Sequence, residues 1–143
     1  NFSKRLIKSP KIFFYDTGLL CRLLEIENPK QLYMHYYKGN IFESMIISDI
    51  LKQGFNKNKR PNIYFFRDNH GNEVDCIIEK ALEVTAIEIK SSRTIQSEFF
   101  KGIKYWNELN KKGNSYLIYA GEENQKRTAA EVLSWKYIYK IES

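Results

Sequence analysis

A chain of 143 residues is the size of one domain and long enough to bury a single core. Its 23 basic and 17 acidic side chains leave a formal charge of +6, which suits a polyanionic partner without requiring one. No run approaches the roughly 20 apolar residues that cross a bilayer. Cys21 and Cys76 stand outside any CxxC or Cys/His pattern, which argues against a disulfide framework or a structural zinc site and for a reducing, cytoplasmic setting. The sequence opens at Asn1 without an initiator Met or a secretion signal, so a piece of a longer intracellular chain is expected.

The first element is a short apolar run from Lys11 that changes at Asp16 or Thr17, either of which can cap a helix carrying Leu19, Leu20, Leu23 and Leu24 on one face. Asn28-Pro29 is expected to end it. Asp16-Thr-Gly matches the aspartic-protease triplet, but a lone copy before a helix is read as a cap. After Gly39, a second helix is expected to start at Asn40, with Phe42, Ile46, Ile47, Ile50 and Leu51 as its core stripe. Glu43 falls on that same face, and a buried carboxylate needs a partner.

Ile63–Asp68 and Glu73–Glu79 read as a hairpin around a Gly-containing turn, and Val84–Lys90 as a third strand. Ser97 is then expected to cap a helix bearing Phe99, Phe100, Ile103, Trp106 and Leu109, with Gly113 closing it and Ser115–Ala120 as a further strand. The order from Gly39 is α, β, β, β, α, β. In the tail, Lys136–Lys140 reads as a last edge strand.

Alternation along a strand puts Glu88 and Lys90 on one face, opposite Ile87 and Ile89, and puts Glu73 and Asp75 opposite Val74. Adjacent strands can thus present Asp75, Glu88 and Lys90 together, with Glu43 reaching in from the helix. Converging carboxylates repel unless a cation neutralises them, and an all-oxygen set suits Mg²⁺ or Mn²⁺ rather than zinc. Asp75, Glu88 and Glu43 are therefore the candidate metal ligands, and Lys90 the cation that steadies charge or orients a water, as phosphodiester hydrolysis requires. Without metal the same repulsion predicts that Asp75→Asn is no less stable than the parent. The plainer alternatives are a surface ion pair for Glu88 and Lys90 and a helix anchor for Glu43.

Residues 50–67 contain Lys52, Lys57, Lys59, Arg60 and Arg67 and no acid before Asp68, so these are the candidate nucleic-acid contacts, with Phe55, Tyr64 and Phe66 as stacking surfaces. A solvated face beside core aromatics is the alternative. His35 and His70 have no partner at metal or triad spacing, and the absence of GxxxxGK[ST] rules out a P-loop in this chain, so no ATP hydrolysis is expected of it.

Four stretches, Leu6–Leu19, Gly39-Asn-Ile-Phe-Glu43, Phe65-Phe-Arg-Asp68 with Gly71-Asn-Glu-Val-Asp75, and Ile87-Glu-Ile-Lys90, make nearly the whole chain resemble the DUF4143 domain. That resemblance implies the C-terminal part of a prokaryotic AAA+ ATPase, with ATP handled by a preceding part that is also this domain's partner. It further implies a restriction-endonuclease-like PD-(D/E)xK core: αβββαβ, a mixed central sheet flanked by helices. On that core Glu43, Asp75, Glu88 and Lys90 match the active-site positions. The expected layout is one domain, with 1–38 as a helical N-terminal extension, 39–120 as core and 121–143 as tail. Two functions follow as expectations: a Mg²⁺-dependent nuclease acting on or binding DNA, or a non-catalytic partner-recognition or regulatory module of the ATPase.

Overall fold

The computed structural model of the chain describes residues 10–81, 83–111 and 113–141. Helix α1 spans Thr17–Leu23, and the Leu19 amide donates to Asp16 Oδ1 at 2.9 Å, so the Asp16-Thr-Gly triplet is a helix cap. Asn28-Pro29 does not end this helix; it starts α2, Pro29–Met34. The Gln31 amide donates to Asn28 Oδ1 at 3.0 Å, and Pro29 sits where its missing N–H has no helical partner to lose.

Helix α3, Lys38–Asn56, begins ahead of Asn40, which is therefore inside the helix rather than its cap. The Ile41 amide already donates to the Tyr37 carbonyl at 2.9 Å, and Ile41 is buried, so packing sets the start. Ile46, Ile47 and Ile50 face the core as expected, flanked by Phe42 and Leu51.

The strands β1 (Asn62–Arg67), β2 (Glu73–Lys80) and β3 (Glu83–Lys90) form an antiparallel meander. Asp68 ties the β1–β2 turn: its carboxylate accepts from the Asn72 side chain and from the amides of Asn72 and His70, which holds its pKa down to about 2. A 3-10 turn, Ser97–Phe100, leads into α4, Lys101–Leu109, and the crossover delivers β4 (Asn114–Tyr119) parallel to β3. Ser97 thus opens the 3-10 turn and does not cap α4. Asn110 rather than Gly113 caps the end of α4, its amide donating to the Trp106 carbonyl.

Two further strands, β5 (Gln125–Lys126) and β6 (Glu131–Ser134), complete a mixed sheet in the order β1-β2-β3-β4-β6-β5. Lys136–Lys140 is not a strand but part of a 3-10 segment, Trp135–Lys140. Its Tyr-Ile-Tyr alternation imitates a strand, yet Ile138 and Ile141, three residues apart, are the buried ones, as a three-residue period requires.

The sheet is covered on both faces. Cys76, Ile78, Ile87, Ile89, Ile118 and Leu133 pack against α3. Phe66, Val74, Ile77 and Ala86 pack with Tyr105 and Trp106 of α4, beside a cluster of Ile103, Leu117 and Val132. Among the described residues no helix is long and apolar enough to cross a membrane.

Candidate functional site

The site is built on a break in the β1–β2 ladder. Tyr64 pairs with Ile77 but Phe66 pairs with Val74, so Asp75 and Cys76 together stand opposite Phe65 alone. This bulge places Val74 and Ile77 on the α4 face and Cys76 on the α3 face, against the strict alternation expected of a regular strand. Asp75 is turned toward β3, where its Oδ2 accepts from the Ile89 amide at 2.8 Å. A carboxylate has taken the place of a backbone partner.

On β3, Glu88 and Lys90 share a face, as alternation predicts. Lys90 Nζ donates to Glu88 Oε1 at 2.5 Å and lies 3.8 Å from Asp75 Oδ2. Glu88 points to the α4 side: a Cβ added at Gly102 would lie 3.4 Å from Glu88 Oε2. That oxygen is buried and has no hydrogen-bond partner among the described residues. Burial, then the neighbouring Asp75 charge, push the Glu88 carboxyl up to about 7, with Lys90 acting in the opposite direction. Burial pulls the Lys90 ammonium down, but Asp75 and Glu88 together leave it raised.

Glu43 approaches from α3, on the other side of Asp75. Its partner is Lys11, a residue outside the expected site. Lys11 Nζ lies 3.1 Å from Glu43 Oε1, 2.5 Å from Glu73 Oε1 and 3.8 Å from Asp75 Oδ1. Burial and Asp75 raise the Glu43 carboxyl; Lys11 opposes both. Glu73 is held below its usual range because Lys11 and Arg67 together outweigh its burial.

The four residues expected to converge therefore form two halves joined at Asp75: Glu43 with Lys11 and Glu73 on one side, Glu88 with Lys90 on the other. Among the described residues no group of three or more His, Cys, Asp or Glu side chains has a metal-holding arrangement. Lys11 and Glu73 complete the cluster. Glu73 was legible as an acid alternating with Asp75; nothing local marks Lys11, which lies 32 residues from Glu43.

Two residues of the basic stretch have partners within the protein. Lys52 Nζ donates to the Tyr15 carbonyl at 3.0 Å, and Arg67 clamps Glu73 Oε2 through Nε at 3.0 Å and Nη2 at 2.6 Å. Lys57, Lys59 and Arg60 are exposed beyond the end of α3. At 1.5 Å per residue along the helix they stand roughly 20 Å from Glu43. Phe66 is core, whereas Phe55 and Tyr64 are exposed. Cys76 is buried and its thiol is pushed up to about 12, first by burial and then by Asp75, so it is no nucleophile.

Fold and site together define an α/β domain whose mixed sheet carries a carboxylate cluster threaded by two lysines. Residues 38–138 match the family described as a domain of unknown function, DUF4143, and the chain belongs to that family. The match takes in the core and most of the tail but not the Leu6–Leu19 stretch, of which residues 6–9 lie outside the described part of the chain. Uncharacterized proteins of Mycobacterium tuberculosis and Mycobacterium bovis are each 32% identical over 95 residues, covering 66% of this chain. The aligned part is 20% of either relative's length, so the chain spans only about a fifth of the curated relatives it matches. No solved structure matches.

Proposed function

We propose that this is a restriction-endonuclease-like domain of the PD-(D/E)xK kind that binds DNA and hydrolyses phosphodiester bonds with Mg²⁺ or Mn²⁺. In this reading it works as the C-terminal part of an AAA+ ATPase whose ATP is handled by another part of the chain. The observation that carries the reading is Glu88 Oε2, a carboxylate oxygen withdrawn from water without a donor among the described residues, one strand away from Asp75. Buried polar atoms are almost always satisfied, and a hard cation is the partner that two carboxylates on adjacent strands suit.

Asp75 and Glu88 would hold the ion, and Glu43 would support it from the α3 side. When bound, the metal supplies Lewis acidity and a water of lowered pKa. The chain's own groups do the rest. The Ile89 amide fixes Asp75 Oδ2, and Lys90 keeps a full positive charge beside Glu88, where phosphate charge would develop. The exposed Lys57, Lys59 and Arg60 offer a second, more distant contact to the DNA backbone.

Thermal melts with Mn²⁺ test the metal. The parent gains about 2.7 kcal/mol at a hundredfold excess over its dissociation constant. Asp75→Asn and Glu88→Gln lose most of that gain, and labelled DNA is cut by the parent with Mn²⁺ but not with EDTA or by Glu88→Gln. A parent indifferent to millimolar Mn²⁺ sinks the proposal. Charge reversal at Lys57, Lys59 and Arg60 is expected to weaken DNA binding and flatten its salt dependence, since every phosphate no longer neutralised takes about 0.9 off the slope. An unchanged slope moves the DNA-binding surface elsewhere.

One observation favours the second reading, a non-catalytic partner-recognition or regulatory module. Lys11 and Lys90 already give each of Glu43, Glu73, Asp75 and Glu88 an ammonium within 4 Å, so every carboxylate of the cluster has a cation supplied by the protein itself.

A further inference from the structure

We infer that Lys11 is an internal cation that holds the α3 side of the acidic site in place of a divalent metal, and that metal entry displaces it. The inference rests on the metal reading of this site and adds its regulation. Three carboxylates, Glu43, Glu73 and Asp75, surround one ammonium within 4 Å. Glu43 has no other ion-pair partner among the described residues. The ammonium also lies 5.6 Å from the centre of the Phe65 ring, and with Glu43, Glu73 and Asp75 it lines a cavity of about 360 Å³. The void beside it leaves room for the side chain to withdraw.

The way Lys11 is attached makes it removable. It stands on a stretch outside any helix or strand, ahead of the region that matches the family. That stretch is held downstream, where Phe13 packs on the core and the Tyr15 carbonyl accepts from Ser48 Oγ at 2.7 Å and from Lys52 Nζ. Ile12, next to Lys11, is 84% exposed. Withdrawal of the Lys11 side chain therefore leaves the anchor intact. A divalent ion brings twice the charge to the same hard oxygens, but it binds only the fraction of molecules in which the lysine has swung away, and its apparent affinity falls by that fraction.

Two measurements test this on the protein. Calorimetric Mn²⁺ titration of the parent, Lys11→Met and Lys11→Arg is expected to show Lys11→Met binding roughly tenfold tighter or more, with Lys11→Arg close to the parent. Acetylation of the parent by an amine-reactive ester, followed by mass spectrometry with exposed Lys57 as reference, is expected to find Lys11 protected without Mn²⁺ and reactive with it. Equal Mn²⁺ affinity in parent and Lys11→Met overturns the displacement while leaving the metal site standing, as does Lys11 labelling that Mn²⁺ does not change. No Mn²⁺ binding by parent or variant overturns the metal site and this inference together. If Lys11→Met does not fold, labelling of the parent decides alone.

Discussion

Asp75→Asn lowers the stability of the metal-free protein by about 2 kcal/mol, seen as an earlier urea midpoint with an unchanged slope. This reverses the expectation drawn from carboxylate repulsion alone. Asp75 is 9% exposed, its Oδ2 accepts from the Ile89 amide, and it has an ammonium 3.8 Å away on each side, Lys11 and Lys90. An amide can still accept from Ile89. It cannot offset two inward-facing cations, and its N–H groups would point at one of them. Relief of repulsion with Glu43 and Glu88 works the other way, but each of those carboxylates already has a lysine closer than Asp75 does, at 3.1 Å and 2.5 Å.

Glu88 gives the same substitution a pH signature. A carboxyl raised to about 7 contributes stability at pH values below its unfolded pKa, and that contribution is lost as pH rises toward 7. Asp75 is the second cause of that rise, so Asp75→Asn loses less across this window. The gap between parent and variant is expected to narrow from about pH 5 to about pH 8. A variant as stable as the parent at every pH would show that repulsion, not lysine pairing, governs the cluster.

Gly102→Ala destabilises by about 2 kcal/mol or more, although the same change inside an exposed helix would stabilise by up to about 1 kcal/mol. An added Cβ would lie 1.9 Å from the Glu73 carbonyl oxygen and 3.1 Å from its carbon. Both are backbone, and no side-chain rotation relieves them. Either α4 lifts off the sheet or the start of β2 moves, and both Glu73 and Glu88 stand at that contact. Overlap wins because the propensity gain is bounded, while a 1.9 Å approach cannot persist without movement of the backbone. Urea midpoints of the two proteins decide it, and a more stable variant would show that α4 slides freely over β2.

Local patterning carried much of this structure. The α3 stripe, the β1–β2 hairpin, β3 and the Glu88-Ile89-Lys90 face follow from periods of 3.6 and 2 that the residues themselves set. Asp16 as a cap is equally local. Where two local signals compete, one of them wins for a visible reason: Asn28-Pro29 starts a helix because the Asn28 side chain caps it and Pro29 fits its first position, and Tyr137-Ile-Tyr139 coils because Ile138 and Ile141 both reach the core. The bulge at Asp75 and Cys76 was beyond such reading, since it exists only in the register of β2 against β1 and serves to keep Val74 and Ile77 on one side and Cys76 on the other. Lys11 was further beyond it. An ammonium finds Glu43, Glu73 and Asp75 only after a helix and a strand from distant parts of the chain have been stacked together, and no spacing along the sequence records which cation will arrive between them.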